Sequence, residues 1–190
     1  MRFLIILGVL GCAAPERPKA KPGGVTPETV AARALTALDS SDFAEFAAVV
    51  HPERGVRFSP YPHVDTVRDR VLLREALVEE ASSPQRSVWG NFDGSGDTIR
   101  FTFPEYVARF VRDADFARAP RVVRDSAPIG TGNALHNMRQ VYPNATIIEY
   151  HIPGRDPRYN GMDWRSLWLV LEKRDESWYL IGVIHGEWTI

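Results

Sequence analysis

Cysteine is almost absent from this chain, since Cys12 is the only one among 190 residues. A single cysteine excludes an intramolecular disulfide, so the folded domain must draw its stability from its hydrophobic core. Long hydrophobic runs are lacking too. The apolar run from Phe3 to Leu10 is far shorter than the ~20 residues that a helix needs to cross a bilayer. A signal-peptide hydrophobic region fits this run better than a transmembrane anchor.

An excess of charge of one sign is also missing, because the formal net charge is -1. The local arginine cluster in RFVRDADFARAPRVVRD is interleaved with Asp113, Asp115 and Asp125, so it makes no basic stripe. Nucleic acid is therefore not an expected partner. A serine nucleophile elbow, a phosphate-binding glycine loop and a CxxC motif are absent as well. We predict no cofactor and no metal centre.

Cys12 follows the apolar run directly, in the string VLGC, which resembles the bacterial lipobox. The resemblance implies cleavage before Cys12 and acylation of its thiol, palmitate being a typical acyl chain. Ala13 next to the cysteine implies transport to the outer membrane if the host has one. The chain is thus expected to be extracytoplasmic and lipid-anchored. The alternative is a buried or free thiol near a frayed terminus.

The composition divides the chain into three parts. Residues 1–11 are the predicted lipoprotein signal peptide. Residues 12–25 are rich in proline, lysine and glycine and have no apolar period, which is typical of a flexible tether. Residues 26–190 are long enough for one domain, and the chain's 44% hydrophobic content is that of a globular protein.

Helical periodicity dominates the first half of this domain. Thr26 is the expected N-cap of the first helix, and Ser41 or Asp42 that of the second. Helices are predicted, in chain order, over PETVAARALTAL, DSSDFAEFAAVVHP, VRDRVLLREALVEEA, EYVARFVRDADF and NALHNMRQVYP.

Strand periodicity dominates the C-terminal part. GVRFSPY is a predicted strand, and SVWGNFDGSGDTIRFTF a predicted hairpin. Three further strands are expected in NATIIEYHIP, SLWLVLEKR and WYLIGVIHGEWTI, the last two joined as a hairpin. We therefore predict an α+β fold, with a curved antiparallel sheet closed by the N-terminal helices.

The two N-terminal helices and the ending WYLIGVIHGEWTI resemble the NTF2-like (cystatin-like) cone, in which helices close a bent sheet around a pocket. The segment from HPERGVRFSPY to HGEWTI also resembles bacterial lipoproteins of unassigned function, a group that offers no catalytic residues to carry over. Enzymes with NTF2-like cones often place acidic or histidine residues inside the pocket.

Two histidine–carboxylate dyads are the first candidate site. Glu149 and His151 are two residues apart, as are His185 and Glu187, so each pair shares one face of its strand. If the two strands were adjacent with these faces inward, four polar groups would converge in the pocket. A carboxylate beside a histidine orients the ring and raises its basicity. The alternative is a set of surface salt bridges across the strands.

The polar connection PGRDPRYNGMDWRS is the second candidate, because its Tyr159 and Trp164 accompany charged side chains suited to ligand contact. The alternative is that Trp164 simply caps the core. In DGSGD, a hairpin turn explains both glycines better than a calcium loop does, because the later ligand positions are wrong. The loop YPHVD is expected to hold hydrogen-bonded polar side chains rather than a metal.

These observations favour a membrane-anchored binding module of the cell envelope, which takes a small molecule or an envelope protein without catalysis. One alternative is an NTF2-like enzyme of proton transfer or hydrolysis that uses His185, Glu187 and His151. Another is a structural envelope protein that acts through its surface.

Overall fold

The computed structural model describes residues 25–130 and 132–189. The predicted signal peptide, acylation at Cys12 and all of the tether except Val25 lie outside these residues. The helices of the described part are α1 (Pro27–Asp39), α2 (Phe43–Val49), α3 (Arg74–Ser82), α4 (Phe103–Phe110) and α5 (Met138–Val141). The strands are β1 (Val56–Ser59), β2 (Arg70–Leu72), β3 (Ser87–Asn91), β4 (Thr98–Phe101), β5 (Arg121–Arg124), β6 (Thr146–Ile152), β7 (Arg165–Arg174) and β8 (Ser177–Glu187).

Local side-chain chemistry starts the N-terminal helices where the sequence predicts. The Thr26 hydroxyl accepts a hydrogen bond from the Thr29 amide and caps α1, and the Asp42 carboxylate accepts one from the Glu45 amide and caps α2. A full capping box of Thr102 and Glu105 begins α4. In the described part of the chain, none of the helices combines the length and the apolar composition that crossing a membrane requires.

The predicted third helix is wrong in its first half. Arg70–Leu72 form the short strand β2, which pairs with β1, and the helix begins only at Arg74. Val71 is exposed at the sheet edge instead of lying on an inner helix face. Edge pairing overrides helix propensity here, because β1 offers backbone groups that three extended residues satisfy. The sequence analysis also missed β5, whose four residues carry an arginine at each end.

The main sheet has the order β2-β1-β8-β7-β6-β5, and it is open because its edge strands β2 and β5 do not meet. The α+β class is confirmed, but the prediction of an antiparallel sheet is wrong at one place, since β1 runs parallel to β8. A tight turn forces only neighbouring segments of chain to run antiparallel. Strands β1 and β8 come from opposite ends of the domain, so no hairpin constrains their directions.

Both faces of the sheet are covered. Helices α1 and α2, the hairpin of β3 and β4, and α4 pack on one face, around Phe58 and Trp89. The opposite face packs Trp168 and Trp164 against Met138 of α5. We call these the helical face and the tryptophan face. The predicted hairpin turn at DGSGD is confirmed, with positive φ at Gly94 and Gly96.

Candidate functional site

The structure does not bring the two predicted dyads together. Their strands β6 and β8 are separated by β7, and cross-strand partners share one face of a sheet. Tyr150 pairs with Leu167, which pairs with His185, whereas the preceding Glu149 pairs with Trp168. His185 therefore lies on the helical face and Glu149 on the tryptophan face. Residues two apart on a strand share a face. His151 therefore lies on the tryptophan face with Glu149, and Glu187 lies on the helical face with His185.

Glu149 is buried on the tryptophan face and accepts hydrogen bonds from neutral donors. The Ser166 hydroxyl donates to its Oε1 over 2.7 Å, and the Ile129 amide donates to its Oε2 over 3.0 Å. Its relative exposure is 2%. No lysine or arginine of the described residues forms an ion pair with it. The carboxylate is therefore enclosed without a fixed positive charge beside it.

His151 extends this chain of hydrogen bonds. Because the Ser166 hydroxyl donates its proton to Glu149, its oxygen accepts from His151 Nδ1 over 2.9 Å, which places the ring proton on Nδ1. Burial lowers the pKa of His151, opposed by the charge of Glu149. The imidazole is thus neutral at pH 7 and does not balance the carboxylate.

A cavity of about 400 Å³ opens beside Glu149, between the tryptophan face and the chain from Asp125 to Gln140. Trp168 and His136 line it and contact each other edge to face at 5.7 Å. Burial lowers the pKa of His136, and its Nδ1 is buried without a hydrogen-bond partner among the described residues. Arg139 also lines the cavity, but its guanidinium is paired with Asp125 over 2.6 Å. The cavity therefore combines the Glu149 carboxylate and this ion pair with aromatic and apolar walls.

His185 on the helical face is held at both ring nitrogens. Its Nδ1 lies 3.1 Å from the carbonyl oxygen of Pro60, which only accepts, and its Nε2 lies 3.0 Å from Asp113 Oδ2. Burial alone would raise the pKa of Asp113, but the hydrogen bond and charge of His185, with Arg165, hold that pKa below its usual value. Asp113 is thus ionised, and both ring nitrogens of His185 face oxygen atoms that only accept.

Two guanidinium groups complete the cluster around His185. Arg165 Nε lies 2.7 Å from Asp113, and its Nη2 lies 3.3 Å from Glu187, which also pairs with Arg109 over 2.7 Å. Ligand atoms of Asp113, His185 and Glu187 lie within 4.8 Å of one another, a spacing that one metal ion bridges. Both carboxylates are already neutralised by arginines, so this donor set is arranged as an ion-pair network.

The second predicted site is not assembled either. Trp164 is buried on the tryptophan face beside His151, with ring centroids 6.0 Å apart, and packs into the second core cluster. Tyr159 is exposed and stacks under the guanidinium of Arg158 at 5.7 Å. The two aromatic residues are therefore not parts of one site: Trp164 lies in the second core cluster and Tyr159 at the surface.

Asp69 is a functional candidate that the sequence analysis missed. Its Oδ2 accepts hydrogen bonds from the Ser59 hydroxyl and, over 2.9 Å, from the Asp65 amide. Burial raises the pKa of Asp69 to about 6, against these hydrogen bonds. It lines a second cavity of about 450 Å³ together with Pro60, whose carbonyl oxygen lies 3.1 Å from His185 Nδ1. Its place in VRDR, which has helical periodicity, carried no signal of burial.

The loop YPHVD is confirmed as a segment of hydrogen-bonded polar side chains. Asp65 Oδ1 accepts from the amides of Val67 and Arg68, which closes a turn around it. Tyr61 and His63 of this loop line the Asp69 cavity.

No family model matches the chain, and no curated protein matches it. A solved structure that is similar in outline is a protein named as a calcium/calmodulin dependent protein kinase II association domain, from Xanthomonas campestris. It is 13% identical, the match covers 81% of this chain and 79% of that one, and the TM-score is 0.34. A TM-score this low does not establish a shared fold.

Proposed function

We propose that this protein is a binding module of the cell envelope whose cavity at Glu149 takes a small organic cation. The observation that carries the proposal is the buried Glu149 carboxylate, which borders a cavity of about 400 Å³ and has only neutral hydrogen-bond donors in the described part. A buried charge without a counter-ion is costly. A ligand that brings a positive charge removes that cost when it binds.

The walls of the cavity favour an organic cation over an inorganic one. Trp168 and His136 present aromatic surface, and Met138 and Ile147 add apolar surface. Cations bound over an aromatic face gain further free energy, most strongly over tryptophan. The volume falls in the range of small-molecule sites. An ammonium group with a few apolar carbons, such as choline, matches this combination.

Glu149→Gln should lower the affinity for a bound ammonium compound at least tenfold, because it removes the charge and keeps the shape. The measurement is isothermal titration calorimetry of the full chain in detergent with choline, agmatine and putrescine. Glu176→Gln is the control, since Glu176 is exposed in the turn between β7 and β8. Equal affinities in the Glu149→Gln variant and the native protein would overturn the proposal, as would no binding by any of the three compounds.

Binding should also weaken as the pH falls from 8 to 5. Burial lowers the pKa values of His136 and His151, so both rings are neutral at pH 7 and gain a proton only in acid. Once protonated, they supply the positive charge that the ligand otherwise brings, and they compete with it for Glu149. Calorimetry at several pH values measures this, and affinity that rises on acidification would contradict it.

Anchoring through an acylated Cys12 is part of the same proposal, supported by the resemblance of VLGC to a lipobox. Buried acyl methylenes contribute about 0.8 kcal/mol each to membrane binding. Cys12→Ser should therefore move the protein from the membrane to the soluble fraction of fractionated cells. Release should be accompanied by loss of metabolic labelling with palmitate. Full membrane retention of the unlabelled variant would contradict the anchor.

We further propose that the domain is an NTF2-like cone. Support comes from its order of elements, with α1 and α2 packed on one face of an open, curved sheet that ends in three long strands.

A further inference from the structure

The cavity at Asp69 has the features of a second binding site. Asp69 is 7% exposed, and its Oδ2 is fully occupied by Ser59 and the Asp65 amide. No hydrogen bond to Oδ1 comes from the residues that the structure describes. This oxygen is not fully buried. It is therefore accessible from the cavity of about 450 Å³ that Asp69 lines.

Gly90 keeps the approach to this oxygen open. It has φ +106°, a left-handed conformation that favours glycine, and a Cβ added there would lie 3.8 Å from Asp69 Oδ1 and 3.6 Å from Pro60. Backbone thus forms the cavity wall next to the carboxylate, without a side chain in the way. The oxygen faces space that a ligand atom can occupy.

Two aromatic rings form the neighbouring wall. Tyr61 and Phe92 are half-buried and line the cavity. Both pack against Phe110, with ring centroids 5.8 and 6.2 Å apart, which fixes their orientation. Leu135 lies at the rim with 76% of its surface exposed. A ligand here gains apolar contact on one side and hydrogen bonds on the other.

The polar groups of the cavity call for a ligand that both donates and accepts. Asp69 Oδ1 only accepts when ionised, as do the carboxylates of Asp65 and Asp93, whereas the amides of Asn91 and Asn133 offer donors and acceptors. Arg68 only donates and is paired with Asp65. An ammonium ion has donors alone, so it would leave the amide donors unused. A sugar hydroxyl fulfils both roles, and a sugar ring also has an apolar face for Tyr61 and Phe92.

We propose that the Asp69 cavity binds a neutral saccharide, with Asp69 Oδ1 accepting a hydrogen bond from one hydroxyl and Tyr61 and Phe92 packing against the ring. This site is separate from the cation site at Glu149, because Asp69 lies in the loop before β2 and Glu149 on the tryptophan face of β6. A negative result for one of the two proposals therefore leaves the other unaffected.

The test is saturation-transfer NMR of the full chain in detergent with D-glucose, D-galactose and N-acetyl-D-glucosamine, followed by titration of any sugar that binds. We expect at least one sugar to bind and its affinity to fall tenfold or more in Asp69→Asn. In that variant an amide Nδ2 replaces the accepting oxygen, while its Oδ1 keeps the bonds from Ser59 and Asp65. Asp175→Asn is the matched control, because Asp175 is exposed in the turn between β7 and β8, and this variant should leave sugar binding unchanged.

A second variant tests the cavity in a way that a folding defect of Asp69→Asn cannot explain. Leu135→Trp enlarges an exposed rim residue without touching the core, and it should block the cavity and reduce sugar binding. Three results would overturn the proposal: no binding of any of the three sugars, equal affinity in Asp69→Asn and the native protein, or displacement of a bound sugar by choline.

Discussion

Asp69→Asn should be about 3 kcal/mol more stable than the native protein at pH 8. Burial raises the pKa of Asp69 from 3.8 to about 6 in the folded chain. Each unit by which a pKa differs between folded and unfolded states corresponds to about 1.4 kcal/mol. At pH 8 the carboxyl group is ionised in both states, so the folded state carries the whole unfavourable free energy of the buried charge. Asparagine has a similar shape and no charge.

The gain should depend on pH in a defined direction. Well below pH 3.8, Asp69 is protonated in the folded and the unfolded chain, and the two proteins should be equally stable. As the pH rises from the unfolded-state pKa of 3.8 to the folded-state pKa of about 6, the native protein loses stability relative to the variant, and above about pH 6 the difference levels off. Urea denaturation at pH 4, 6 and 8 measures the difference. A variant that is less stable at every pH would show that Ser59 and the Asp65 amide require the carboxylate.

This prediction also bears on why an aspartate lies at this position. A buried carboxylate that lowers the stability of the folded state has no structural advantage over the isosteric amide. If Asp69→Asn gains stability and loses sugar binding, the charge serves the ligand. If it gains stability and binds as before, the aspartate has no role in recognition, and the proposed saccharide site is wrong.

Asp113→Ala should be less stable than the native protein by about 3–5 kcal/mol, the loss typical of removing one partner from a buried ion pair. Asp113 accepts from both His185 Nε2 and Arg165 Nε, at 3.0 and 2.7 Å. Its removal leaves Nε2 of His185, which is 1% exposed, without its acidic partner. His185 also contacts the Pro60 carbonyl oxygen, so the cavity wall at Pro60 should become less rigid when Asp113 is removed.

Asp115→Ala is the matched control, because it removes the same side chain two residues away. Among the residues that the structure describes, Asp115 pairs only with Arg118, and both side chains are more than half exposed, so the loss should stay below about 1 kcal/mol. Guanidinium denaturation of the three proteins gives the comparison. Similar losses in both variants would mean that the buried network adds no more than a surface pair.

Asp113 and Asp115 show why this difference was beyond sequence reasoning. In RFVRDADFARAPRVVRD both are acidic residues among arginines, and from the sequence both were interpreted only as negative charges that interrupt a basic stripe. The chain after α4 turns back toward the end of β8, which brings Asp113 to His185 across 72 positions of sequence. Asp115 stays at the surface. Burial of a charged residue depends on that long-range contact, and the local pattern does not encode it.

Local patterns were sufficient wherever neighbouring residues decide the outcome. The caps at Thr26 and Asp42, the glycine turn at DGSGD and the long strands β6, β7 and β8 rest on hydrogen bonds or side-chain alternation within a few residues. The predicted helix over VRDRVLLREALVEEA failed at its start, because a distant strand, β1, competes for that backbone. For the same reason the burial of Asp69 was not predicted, because Asp69 immediately precedes β2 in a segment that was expected to be helical.

The sequence by itself determined the α+β class, the three long C-terminal strands and the shared face within each dyad, because strand alternation has a period of two. Only the tertiary structure decided that Glu149 and His185 lie on opposite faces. Which face a strand turns inward depends on its register with its neighbours, and a shift of one residue exchanges the faces. That register is set by packing across the whole sheet, and so are the cavities that it leaves beside Glu149 and Asp69.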